Sequence, residues 1–337
     1  MLQTQSARPS LQWLNKYMSI ELNQDIRKLL LAHKPEGPLV AIVAPSGYAP
    51  NPDAVERGLA TLQAQGCRVR NYTDAAGRFQ RFGASDDARI AQLYAAAHDP
   101  EVDIVLALRG GYGLTRLLPD LDFGMLAASG KLFVGHSDFT ALQMGMLAQA
   151  GAASFSGPML CDDFVRDELS DYTINHFWQC LTRSSCTVTG QAVDNPQLSV
   201  AGTLWGGNLA MLTHLVGSPW LPKVQGGILF VEDVNEHPYR VERMMLQLLH
   251  AGLLDDQQAI LLGDFSSYRL TDYDNGYDFA QMVAYLREHL PVPVLTGLPV
   301  GHGRDKATMV VGSRAELDSS NETFSLTMSG YRSLAVC

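Results

Sequence analysis

The sequence predicts an α/β protein in two parts: an open, parallel-sheet α/β domain followed by a β-rich C-terminal domain. Three observations carry this. The 337 residues exceed one ordinary core, at about 150 residues per domain. Between residues 39 and 149, short apolar runs alternate with stretches of helical length, and parallel pairing needs crossovers of that length. Beyond residue 200 further apolar runs lead into a β-like tail at residues 308–311 and 323–327.

Residues 1–37 read as an N-terminal extension outside the main fold. Residues 19–33 set Ile20, Leu22, Ile26, Leu29 and Leu30 partly on one helical face, before Lys34-Pro35-Glu36-Gly37-Pro38 breaks the chain. Residues 38–165 form the α/β domain. Its first strand, residues 39–44, ends at Pro45-Ser46-Gly47. Asn51 then caps a helix that starts at Pro52 and stops before Gly66. Residues 67–72 form a strand, 87–98 a helix and 102–108 a strand closed by Arg109-Gly110-Gly111-Tyr112-Gly113. Residues 132–135 form another strand, followed by a helix over 138–149. Residues 166–199 are mixed and polar and read as a linker, with Trp178 packing against a domain. The C-terminal domain, 200–337, holds a strand at 227–231, a helix at 239–250, a strand at 259–262, a helix at 279–290 and a strand at 293–295. The 239–250 helix aligns Val241, Met244, Met245, Leu248 and Leu249 on one face.

Composition narrows the function classes. Hydrophobic residues make up 46% of the chain and charged residues 18%, with a formal net charge of −10, so the chain is globular and nucleic acid is not an expected partner. The five cysteines form no C-x-x-C pair, which points to a reducing compartment and buried thiols rather than a disulfide frame or a metal site. The N-terminus lacks a basic start followed by an apolar run, and no stretch approaches the ~20 apolar residues of a membrane span. A cytoplasmic protein with no membrane partner is expected.

Four segments carry candidate chemistry. Ser137 stands in Gly135-His136-Ser137-Asp138-Phe139-Thr140, where a strand meets a helix. Such a turn exposes a hydroxyl beside unpaired N–H groups, although Ser137 or Asp138 could equally serve as a helix cap. The Arg109–Gly113 run matches neither phosphate fingerprint. It offers a close backbone approach to a ligand, with a peptide N–H of Gly110 or Gly111 facing an oxyanion, or a plain turn. Glu232-Asp233 follows an apolar strand, where a carboxylate can orient a histidine. His302, between Gly301 and Gly303, has room to approach another domain and titrates near neutrality. His136 is a rival base, but strand alternation should turn it away from Ser137. No H-E-x-x-H or comparable local ligand set is present, and no metal is expected.

Taken together, Ala44-Pro45-Ser46-Gly47-Tyr48, Arg109-Gly110-Gly111-Tyr112-Gly113, Gly135-His136-Ser137-Asp138-Phe139-Thr140, Phe155-Ser156-Gly157-Pro158-Met159-Leu160, Gly202-Thr203-Leu204-Trp205-Gly206-Gly207-Asn208-Leu209, Glu232-Asp233-Val234-Asn235-Glu236-His237-Pro238 and Gly301-His302 resemble, in order, the LD-carboxypeptidase family of serine peptidases. The resemblance runs from about residue 39 to the C-terminus. It implies Ser137 as nucleophile, Glu232 as orienting acid and His302 as base, with an oxyanion hole from the N–H groups near Gly111 and at Asp138. It also implies an active site between the domains, a homodimer, and release of terminal D-alanine from a muropeptide (a murein tetrapeptide) with no cofactor. Arg109, Gly110, Trp205 and Asn208 are candidate substrate contacts, Arg109 because its fork suits a carboxylate. Two other readings compete: a self-immunity peptidase of the same fold acting on a peptide-nucleotide antibiotic, and a non-catalytic protein binding a small ligand between its lobes.

Overall fold

The computed structural model describes residues 24–74, 77–191 and 194–334. Two sheets organise them. The first is built from β1 Leu39–Val43, β2 Arg68–Asn71, β3 Val102–Ala107, β4 Leu132–Gly135, β5 Ser154–Ser156 and β11 Met309–Val311, in the order β11-β5-β4-β3-β1-β2. Strands β1 to β5 pair in parallel. Helices cover them, so β1 and β4 are buried along their whole length, as continuous apolar runs in a covered parallel sheet should be. The expected Asn51 cap forms: its side chain accepts the Asp53 N–H at 3.0 Å, and the helix Pro52–Ala64 continues from it.

The second sheet is built from β6 Ser185–Gln191, β7 Leu198–Asn208, β8 Ile228–Val234, β9 Ala259–Ser266, β10 Val294–Leu295, β12 Arg314–Ser319 and β13 Thr323–Ser329, in the order β10-β9-β8-β7-β12-β13-β6. Strand β7 is the pivot. Its residues 198–203 pair antiparallel with β12, while residues 204–208 pair in parallel with β8. One half of this sheet is therefore helix-covered and parallel, and the other is an antiparallel meander.

The two parts of the chain are interleaved. Strand β11 comes from the C-terminal region but pairs antiparallel with β5 and completes the first sheet. Residues 166–199, read as a linker, contain the helix Asp171–Thr182 and the edge strand β6. Every second residue of β6 is buried: Cys186, Val188 and Gly190. Trp178 is fully buried and donates its indole N–H to Gln65 Oε1 at 2.8 Å.

The described part of the N-terminal segment also departs from an extension lying outside the fold. In the helix Gln24–His33, Ile26 and Leu30 are buried, and the helix packs on Asp171–Thr182. Asp103 on β3 anchors the turn that leads from this helix into β1: it accepts from Lys34 Nζ and from the Leu39 N–H, both at 2.8 Å. A short amphipathic helix is marginal alone and takes its stability from such docking. Residues 19–23 of the expected helix lie outside the described residues.

Ile26→Ala should cost about 2–4 kcal/mol of stability through the lost burial and the cavity left behind. Urea unfolding measures it, and an unchanged midpoint would mean that the helix does not dock in solution.

Candidate functional site

Arg109, Gly110 and Ser137 follow strands of the first sheet, Glu232 lies near the end of β8 and His302 lies in the loop after β10, at the carboxyl ends where ligand sites in open α/β sheets form. Ser137 follows β4. Its φ of 61° lies in the left-handed region, uncommon for a non-glycine residue, and belongs to a sharp strand-to-helix elbow. A 3₁₀ turn, Ser137–Phe139, leads into the helix Thr140–Ala150. The glycine-rich loop after β3 closes over this elbow. A Cβ on Gly110 would stand 3.0 Å from Ser137 Oγ and 2.9 Å from its Cβ, so only glycine allows the backbone this close.

Buried polar groups hold the elbow and loop together. Asp138 Oδ2 accepts from Ser46 Oγ at 2.6 Å and from the Leu114 N–H at 2.9 Å. Burial pushes this carboxyl above the usual range, although those hydrogen bonds pull the other way. Arg89, wholly buried, donates Nη1 to the Gly113 carbonyl at 2.9 Å and to the Pro45 carbonyl, with Nη2 on Asp86 at 2.6 Å. Sequence reasoning passed over Ser46 and Arg89 as parts of the site. A lone arginine in an amphipathic helix gives no sign that it will be buried.

Glu232 and His302 meet. Glu232 Oε2 lies 2.7 Å from His302 Nδ1. Glu232 is inside β8 rather than beyond its end, and the β8–β9 register shifts between Val231 and Asp233. A bulge of this kind re-aims side chains. Here two consecutive carboxylates reach one amide: Asn208 Nδ2 donates to Asp233 Oδ1 at 2.9 Å and to Glu232 Oε1 at 3.3 Å. Asp233 also accepts from the Ala210 and Val234 N–H groups, both at 2.9 Å. Burial nonetheless raises its pKa to about 6, and the Glu232 charge adds to that rise.

The His302 loop is seated on β9. Asp264 N–H donates to the Val300 carbonyl at 2.7 Å, and a Cβ on Gly301 (φ 148°) would stand 2.7 Å from the Asp264 Cβ. Burial acts to lower the His302 pKa, but the hydrogen bond and charge of Glu232 outweigh it, and the net shift is upward. With Nδ1 engaged by the carboxylate, Nε2 is the nitrogen available to a reacting group.

His136 does not turn away as strand alternation suggested. Strand β4 ends one residue earlier, at Gly135, so the alternation rule stops applying. The His136 ring stands edge-on to His302, with centroids 5.2 Å apart, and its Nδ1 lies 2.8 Å from the Gly157 carbonyl. Burial, then the charge of Lys306, holds its pKa well below the ordinary value, which keeps it neutral. As the residue preceding Ser137, it therefore packs as an uncharged wall against the His302 ring.

Two substrate-contact candidates are placed differently from expectation, and a third is partly engaged within the protein. Trp205 is 1% exposed, with its indole N–H on Gln257 Oε1 at 2.8 Å; it fills the core of the helix-covered half of the second sheet and has no surface for a ligand. Asn208 is buried, and its side chain is spent on Glu232, Asp233 and the Met211 N–H that it caps, so it positions the carboxylates. Arg109 is half-buried and donates Nη1 to the Tyr48 carbonyl at 3.2 Å, bracing the glycine loop. Asn208 also joins the two sheets: its N–H donates to Thr140 Oγ1 at 3.1 Å, on the helix behind Ser137.

Known proteins share this architecture. Residues 40–157 match the LD-carboxypeptidase N-terminal domain and residues 201–317 the LD-carboxypeptidase C-terminal domain. A crystal structure of muramoyltetrapeptide carboxypeptidase from Oxalobacter formigenes is 52% identical, with a TM-score of 0.85, covering 88% of this chain and 100% of that one. The probable murein peptide carboxypeptidase of Bacillus subtilis (strain 168) is 29% identical over 300 residues, 87% of this chain and 94% of its own. The microcin C7 self-immunity protein of Escherichia coli is 27% identical over 307 residues, 80% of this chain and 87% of its own.

Glu232→Gln should lower the His302 pKa, because it removes the carboxylate charge that outweighs burial. A titration of the imidazole signals by NMR reads this, and an unmoved or raised pKa would break the electrostatic link between the two residues.

Proposed function

Because the chain belongs to the LD-carboxypeptidase family, we propose that it is a serine L,D-carboxypeptidase that releases terminal D-alanine from a murein tetrapeptide through an acyl-enzyme. The observation that carries this reading is the 2.7 Å Glu232–His302 pair beside the left-handed elbow that displays Ser137.

In this mechanism His302 Nε2 takes the proton of Ser137 Oγ, and Oγ attacks the carbonyl joining the D-centre of diaminopimelate to D-alanine. Glu232 holds the ring by Nδ1 and stabilises the imidazolium that forms. The carbonyl oxygen gains charge and is received by the N–H groups at Gly111 and Asp138. The second of these lies in the first turn after the elbow, where N–H groups lack intrahelical partners. The tetrahedral intermediate collapses, and the D-alanine amine leaves with the proton from His302. Water then gives a proton to His302, attacks the acyl carbon and returns Ser137 as a free hydroxyl.

Arg109 is the candidate for the substrate's terminal carboxylate, with the nitrogens not engaged by Tyr48. The reading also includes a homodimer, which the family resemblance implies, and a cytoplasmic location, the expectation drawn from the sequence. The self-immunity alternative is less well supported: the relative carrying that name is 27% identical, against 52% for the muramoyltetrapeptide carboxypeptidase.

Incubation with purified murein tetrapeptide should give loss of one alanine by mass spectrometry, and an intact tetrapeptide would refute the substrate. Ser137→Ala should retain the fold and lose about 10⁴–10⁶ in turnover; a variant with full activity would remove Ser137 as nucleophile. Arg109→Ala should raise KM, and unchanged steady-state kinetics would take it out of substrate binding.

A further inference from the structure

Away from Ser137 and Glu232, the helix Asp171–Thr182 and strand β6 bring two thiols and an imidazole together. His176 and Cys180 are one helical turn apart, and Cys186 is the second residue of β6. All three are buried, and one ligand-type atom from each lies within 4.8 Å of the others. Soft ligands gathered like this invite a metal, but the imidazole is not free to bind one. The Thr308 N–H donates to His176 Nδ1 at 3.1 Å, so Nδ1 carries no proton and the neutral ring holds its proton on Nε2. That Nε2–H faces the Thr187 carbonyl at 3.4 Å, while Cys186 Sγ lies beside the ring, 3.6 Å from Nε2 and 4.0 Å from Nδ1. Neither nitrogen keeps a lone pair for a metal.

The same arrangement suits redox chemistry. Thiolate is the reactive form of cysteine, and the two sulfurs, within 4.8 Å of each other, are near enough for an oxidised one to meet the other. The neighbouring Cys180, then His176, bring the Cys186 thiol down against the opposing effect of burial, while burial holds the Cys180 thiol well up. Access follows the same order. Cys186 keeps 5% of its surface, on the edge strand of its sheet, and Cys180 keeps none.

We propose that Cys180 and Cys186 are a peroxide-reactive pair that closes to a reversible disulfide, with Cys186 attacking and Cys180 resolving. The Cys186 thiolate attacks one oxygen of hydrogen peroxide. The O–O bond breaks, leaving Cys186 as sulfenic acid and releasing hydroxide, which solvent protonates to water. The Cys180 sulfur then attacks the sulfenic sulfur, the S–S bond forms, and the sulfenic oxygen leaves as water with the Cys180 proton. Two thiols are oxidised by two electrons and one peroxide is reduced to two waters. The sulfurs, within 4.8 Å of each other, must close to about 2.05 Å.

Thr308 touches both partners. Its N–H holds His176, and its carbonyl accepts from Cys180 Sγ at 3.5 Å. It immediately precedes β11 and follows the segment from His302, so oxidation would remove the Cys180 contact from a strand shared with the catalytic sheet.

The test uses the full chain and reads thiols rather than peptidase activity, so it stands or falls apart from the proposed function. Reduced protein is treated with hydrogen peroxide, blocked with iodoacetamide and digested with trypsin, which cuts after Arg183 and separates the two cysteines. The expected product is a Cys180–Cys186 linked peptide, lighter by two hydrogens and reversed by dithiothreitol, with Cys67 and Cys161 still alkylated. In Cys180→Ser, dimedone should capture Cys186 as sulfenic acid; in Cys186→Ser, Cys180 should stay reduced. Full alkylation of both cysteines in treated wild-type protein would overturn the proposal. So would zinc retained at one equivalent after desalting and lost in Cys186→Ser, which would make the cluster a metal site.

Discussion

The hydrogen bond between Glu232 and His302 is the contact on which the rest of the site depends. It joins chain segments 70 residues apart and decides which imidazole nitrogen faces outward. A buried carboxylate is costly unless its oxygens are satisfied. The fold meets that cost with the β8 bulge, the Asn208 amide and the adjoining Asp233, itself held by two backbone N–H groups. Asn208 in turn ties to Thr140 behind the Ser137 elbow. The pair is thereby connected to both sheets through a short run of buried polar contacts.

Interleaving of the two parts serves the same end. After His302 the chain does not stay with the second sheet. It runs past Lys306, whose ammonium lies 2.9 Å from Asp163, and enters the first sheet as β11 against β5. The helix Asp171–Thr182 grips this segment: Ser170 Oγ donates to Asp305 and Thr173 Oγ1 to the Arg304 carbonyl. The loop bearing the histidine is therefore clamped on both sides, by β9 before it and by this helix after it. Rigid support of this kind suits the role proposed for His302, since small misplacements of a reacting group cost rate steeply.

Most of the first sheet was legible in the sequence, because fully buried parallel strands are continuous apolar runs bounded by turn residues. The segment 132–135 matches β4, and the Asn51 cap announces its helix. The antiparallel part was harder. Strand β6 does alternate, as Ser185-Cys186-Thr187-Val188-Thr189-Gly190-Gln191, but its buried set of a cysteine, a valine and a glycine is too weakly hydrophobic to stand out from a polar linker. Strand β7 hides its first half for a similar reason, with its exposed and half-exposed residues running into an apolar core only from Leu204. Trp205 misled as a pocket candidate because side-chain type does not say which side of a covered sheet a residue faces.

The sequence by itself determined the strand-helix rhythm, the two-part layout and which residues are candidates for chemistry, all of which rest on local periodicity, turn chemistry and short motifs. Tertiary structure alone decided that the late glycine-flanked histidine meets Glu232, that Asn208 and Arg89 are braces, that His136 walls the site, and that two unremarked cysteines share one histidine. Each of these is a contact between segments far apart in the chain. Such contacts depend on register, bulges and buried hydrogen-bond partners, and local pattern carries no information about which distant group will satisfy a buried polar atom.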